Sequence, residues 1–136
     1  DSRDRSIRLL SNHIFRIGEA FLETAIDDVE YWVDNANIPP EDGTFTIGEE
    51  IAGYGDTIIE RLESWWTQLE DKSCQQKVKT FYGTPPMHQL FERSTWHSAP
   101  HTRQLIAVVE RFGIEPQGRL TAEDLAGLPL PEGLWE

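Results

Sequence analysis

His97 and His101 stand four residues apart in the segment Trp96-His97-Ser98-Ala99-Pro100-His101-Thr102-Arg103-Gln104-Leu105. On a helix that spacing brings both imidazoles to one face, at a separation held by the backbone. Neutral imidazole nitrogens ligate zinc and other first-row divalent ions, so the pair has the form of part of a metal site. The two positions also continue the stripe Leu90, Ser94, His97, His101, Leu105, Val108, Phe112, whose steps of three and four residues mark an inward helix face. Imidazoles turned toward a core need a metal or hydrogen-bond partners.

A third candidate lies far upstream. His13 follows Leu10 by three residues and precedes Ile17 by four, so it borders the buried face of an N-terminal helix. His13, His97 and His101 could meet between two helices and leave a fourth coordination position to water or substrate. A catalytic site keeps that position open, a structural one closes it with a fourth protein ligand, and no clear fourth ligand stands in the sequence. His88 precedes His97 by two and a half helical turns, which puts it on the opposite side, at the surface. Glu19 and Glu92 read as solvated carboxylates without a named role. Gln104 could hydrogen-bond an imidazole from behind, and otherwise it and Arg103 read as surface.

The elements that must position these residues follow from periodicity and breakers. A first amphipathic helix is predicted from about Ser6 to Asn35, with Ile7, Leu10, Ile14, Ile17, Phe21 and Ala25 on one face. Asn35 to Gly43 collects turn formers and two prolines, a loop. Thr46 with Glu49 reads as a capping box before a second helix carrying Ile51, Tyr54, Ile58, Leu62, Trp65 and Leu69. Val78 to Gly83 reads as a short extended piece. Thr84, followed by Pro85, starts a third helix that ends near Phe112-Gly113. Pro100 lies inside it, removes one backbone hydrogen bond and presses on the Trp96 carbonyl, which predicts a kink between the two histidines. Thr121 caps a short helix from about Ala122 to Ala126, stopped by Gly127 and followed by an extended tail.

Three long helices joined by loops specify an all-α fold of the up-and-down four-helix-bundle type, in one domain spanning residues 1–136. Such a bundle needs a fourth element to close its core. A first helix missing from this chain, a subunit partner or the C-terminal segment would serve.

Composition narrows the function. Twelve Lys and Arg against 24 Asp and Glu give a net charge of -12, which repels nucleic acid and anionic lipid surfaces. No apolar run approaches the roughly 20 residues that cross a bilayer, and Asp1-Ser2-Arg3-Asp4-Arg5 lacks the apolar region of a secretory signal, so a cytoplasmic location is expected. Cys74 is the sole cysteine, which excludes an internal disulfide and a cysteine-rich zinc site. Its polar neighbours predict an exposed loop rather than a nucleophile's pocket.

Two stretches resemble the DinB-like superfamily, the DinB/YfiT-like metalloenzymes: Asn12-His13-Ile14-Phe15 with Phe21 after it, and Glu92 to Leu105, whose Thr-Trp-His, His and Arg-Gln-Leu pattern is the more specific. The resemblance extends from His13 to Phe112-Gly113. It implies a four-helix bundle, frequently a homodimer, with a divalent metal held by His13 from an early helix and by His97 and His101 from a later one. It also implies thiol-using isomerases and transferases as relatives, with a low-molecular-weight thiol as cofactor.

The combined expectation is a divalent-metal-dependent enzyme, with Zn or Ni at His13, His97 and His101 and a small-molecule substrate. Hydrolysis by a metal-activated water and transfer to a metal-held thiolate both remain open. The competing expectations are a noncatalytic module, in which a metal staples helices or the pocket holds a ligand, and a metal-free bundle with three hydrogen-bonded core histidines.

Overall fold

The computed structural model describes residues 5–134 and is all-α, a bundle of four helices. The helices are α1 (Ile7–Asp27), α2 (Val33–Ala36), α3 (Gly48–Gln68) and α4 (Met87–Arg111), with only isolated β-bridges among the described residues. The central element is α1, which packs against α4, α3 and α2. Three helices are long, as the periodicity requires, while α2 is a single turn. None of the described helices is long and apolar enough to cross a membrane.

Helix α1 starts where Ser6 accepts a hydrogen bond from the Leu9 amide, and it ends eight residues before Asn35. Asp28 there adopts the left-handed conformation at φ 56°, a state that aspartate tolerates better than most side chains, and the Val29 amide turns back to the Glu23 carbonyl. Beyond it Val29, Trp32 and Val33 are exposed, so no continuous apolar face was available to extend the helix. Of the expected α1 face, Leu10, Ile17 and Phe21 are buried, whereas Ile7 is exposed.

The core is built on Phe21, which is completely buried, stacks on Phe91 at 4.9 Å between ring centroids and meets Trp65 edge-on at 5.1 Å. Helices α1 and α3 approach closely at two glycines. A Cβ at Gly55 would stand 2.6 Å from the Phe15 ring, and one at Gly18 3.1 Å from Ile58, so larger residues would force the pair apart.

Helix α3 begins one residue later than a Thr46 cap requires. Ile47 takes the extended cap conformation, and Glu50 rather than Glu49 reaches back to the Thr46 amide at 2.8 Å. Glu19, expected as solvated surface, instead ties α1 to α3: it accepts from Tyr54 at 2.5 Å and from Arg16 and Arg61. Burial alone would raise its carboxyl, but the Tyr54 hydroxyl and the Arg16 guanidinium hold it below the ordinary value.

Helix α4 starts at Met87, not at Thr84, because its first amides find loop carbonyls instead of a side-chain cap. Met87 donates to Gln76 at 2.7 Å and His88 to Cys74 at 3.0 Å. That arrangement also corrects the expectation for Cys74, which lies in the core cluster with Val78 and Met87 rather than in an exposed loop. Burial, with Asp71 nearby, pushes its thiol above the ordinary value, against a nucleophile's role.

Residues 76–86 fold on themselves: Thr80 donates to Gly83, whose φ of 127° suits glycine alone, and Tyr31 pairs with this segment through Lys79 and Phe81. The expected helix over Ala122 to Ala126 is a run of turns, locked at its start by reciprocal bonds between Thr121 and Asp124. The tail then lies along α4, where the Trp96 indole donates to the Pro129 carbonyl at 2.6 Å and Arg103 to that of Pro131 at 3.0 Å. The C-terminal segment therefore covers α4, and Arg103, read as plain surface, anchors it.

Candidate metal centre

His13 is carried by the second turn of α1 and points at α4, where the buried face set by Leu10 and Ile17 continues through it; it is buried. His101 is 1% exposed and His97 half-buried, both on α4. Each of the three side chains offers a ligating nitrogen within 4.8 Å of the other two. The ring centroids lie 5.0 to 5.3 Å apart, all in edge-to-face arrangements. The Nε2 atoms of His13 and His97 approach to 3.1 Å.

Pro100 does not separate the pair. Helix α4 runs unbroken through it, the proline is fully buried, and the His97 and His101 rings remain 5.0 Å apart. Hydroxyls on this stretch bond back to carbonyls four residues earlier: Ser94 to Leu90, Ser98 to Ser94 and Thr102 to Ser98. Such bonds accommodate local bending of a helix. The stripe that carries the histidines leaves the core further on, however, since Phe112 is 70% exposed.

Gln104, on the next turn, accepts from His101 Nδ1 at 2.6 Å. A carbonyl acceptor there takes its hydrogen bond from Nδ1–H, so in the neutral ring Nε2 is the nitrogen with the lone pair that ligates metals. His88 is remote, pairing with Glu92 on the surface at 3.3 Å, as its register predicted.

The donor types, three imidazole nitrogens, suit a divalent first-row ion. Two imidazole nitrogens on a tetrahedral zinc stand about 3.3 Å apart, given Zn–N bonds of about 2.0–2.1 Å, close to the 3.1 Å between His13 and His97. Three close histidines could therefore hold a metal, and no fourth His, Cys, Asp or Glu joins the group among the described residues.

The centre opens into a pocket of about 170 Å³ bordered by His13, Ile17, Tyr31, Val33, Ala36, Asn37, Phe81, Arg93 and His97. Asn12, next to His13, donates to the Ile38 carbonyl at 3.0 Å, and Arg16 to that of Asn35 at 2.7 Å, so α1 itself pins the α2 segment over the site. Burial raises the Tyr31 hydroxyl's pKa, with Arg93 pulling the other way. The sequence singles out His13, His97 and Ile17; it does not single out Arg93, although that residue stands one turn before His97 on α4. Tyr31 and Phe81 arrive through bridges between distant segments and carry no signal in the sequence.

Replacing Gln104 by leucine is expected to loosen His101 and weaken zinc binding by about 10- to 100-fold, the usual cost of losing a partner behind a ligand. Competition with a chelating dye measures it, and an unchanged affinity would separate Gln104 from the centre.

Fold and site together define a class: an all-α bundle with a three-histidine cluster between two helices, able to hold a metal ion. Comparison with protein-family models, curated proteins and solved structures gives no match.

Proposed function

We propose that the protein is a divalent-metal-dependent enzyme of DinB-like type acting on a small molecule, either as a hydrolase or as a thiol-dependent transferase or isomerase. The observation that carries this reading is the convergence of three imidazoles from α1 and α4 beside a pocket. The resemblance of His13 and of the Trp96 to Leu105 stretch to that superfamily supports it and further implies a homodimer. Zn and Ni both suit three imidazoles.

His13, His97 and His101 would hold the ion. When bound, it would supply Lewis-acid polarisation and acidify a coordinated water or thiol. The chain's own contribution is to fix the ligands: Gln104 sets the His101 tautomer, and Asn12 and Arg16 hold the pocket wall in place. Ile17, Val33 and Phe81 make one side of the pocket apolar, and burial holds the Tyr31 hydroxyl's pKa above its ordinary value.

The direct His13–His97 contact favours one alternative, a noncatalytic site in which the histidines only staple α1 to α4. Metal analysis of protein purified without a histidine tag, followed by turnover assays with hydrolase substrates and thiol cofactors, decides between them. About one equivalent of metal with turnover is expected. Metal without turnover leaves a metal staple, and no metal leaves the hydrogen-bonded histidines alone joining α1 to α4.

A further inference from the structure

The pocket beside the histidines has a chemical character of its own. The chain carries 24 Asp and Glu, yet no carboxylate lines this cavity. Its one charged side chain is Arg93, four residues before His97 and so on the same side of α4. The guanidinium is held over Tyr82 at 5.2 Å and Phe81 at 5.9 Å, and among the described residues no carboxylate pairs with it. Every ion pair that does form between described residues uses another cation.

Stacking on aromatic faces holds a guanidinium while leaving its edge, where the N–H donors lie, to a planar anion. The opposite walls are apolar, from Ile17, Val33, Ala36 and Phe81. The volume, about 170 Å³, is on the scale of a cavity of about 150 Å³ that holds one benzene ring. With a net charge of -12 around a single cation, a monoanion is favoured over a dianion.

From the Arg93 edge, the apolar walls and the missing carboxylates, we propose that this pocket takes a small organic carboxylate. The carboxylate lies on Arg93 and an apolar body of about one ring lies against Ile17, Val33 and Phe81. This deepens the proposed function and rests on it for the ligand's role as substrate. Arg93 is a binding residue that faces the candidate metal centre and sets which molecules reach it.

The test uses benzoate and its neutral counterpart benzamide as probes, by ligand-observed NMR titration of the full chain, both metal-free and zinc-loaded. The metal-free arm matters because a carboxylate could otherwise bind the ion itself. Metal-free protein is expected to bind benzoate at least tenfold more tightly than benzamide. Arg93→Met is expected to remove that preference while zinc uptake and the helical circular dichroism stay unchanged, and Arg93→Lys to restore part of it. Equal binding of the two probes, or a benzoate preference that survives Arg93→Met, overturns the proposal. If zinc uptake is stoichiometric and the probes are not distinguished, the pocket assignment fails alone. If the preference holds and no zinc is taken up, the metal reading fails and the carboxylate pocket stands as a binding site.

Discussion

Replacement of His101 by alanine is expected to lower zinc affinity by more than 100-fold, because losing a ligand costs more than the roughly 10- to 100-fold lost with an outer partner. His101 is the candidate ligand whose removal should be least repairable. It is the most buried of the three, its tautomer is fixed by Gln104, and α4 holds its backbone in a continuous helix. His97 is half-buried and could be replaced in part by solvent, whereas water has little access to the His101 position. The measurement is zinc content after equilibrium dialysis at matched free metal, with the thermal midpoint as a second readout. A ligand that binds only the folded state raises that midpoint. Zinc should therefore raise it in the wild type and leave His101→Ala unmoved. An unchanged zinc stoichiometry in the variant, together with a preserved helical spectrum, would show that these imidazoles do not form the centre.

The centre was more legible in the sequence than the bundle around it. The i, i+4 spacing of His97 and His101 and the place of His13 on an apolar face are local facts, and helical geometry translates them directly into space. Pro100 was legible as an irregularity, but its outcome was not. Whether a proline splits two candidate ligands depends on what packs around it, and here it is fully buried in an unbroken helix. The end of α1 was misread because nothing in Asp27-Asp28 marks a stop as glycine would; the left-handed Asp28 is selected by the chain's return toward Lys79 and Phe81. Cys74 shows the same limit, since its polar neighbours face outward while its own side chain turns into the core beside Met87. The pocket walls at Tyr31 and Phe81 come from pairing between segments about 50 residues apart in sequence, and no periodic pattern encodes such a contact.

Phe21→Ala is expected to be the most damaging single change to the scaffold, costing about 3–5 kcal/mol out of a net stability of about 5–15 kcal/mol. The ring is completely buried and touches both neighbouring helices, stacking on Phe91 of α4 and meeting Trp65 of α3 edge-on. Since α1 is the element against which the others pack, the void would open where the bundle has fewest alternatives for collapse. Urea denaturation should show a lower midpoint with an unchanged slope. Phe112→Ala, at a 70% exposed ring, should stay within about 0.5 kcal/mol. A cost below about 1 kcal/mol for Phe21→Ala would mean that the aromatic cluster does not hold the bundle together. Zinc then separates scaffold from site. Phe21 lies eight residues beyond His13, roughly 12 Å along the helix axis, so the folded fraction of the variant should keep its three imidazoles in place. Zinc should accordingly stabilise Phe21→Ala by the same increment as the wild type, through mass action on the folded state. In a double variant with His101→Ala that increment should vanish while the cost of the Phe21 cavity remains.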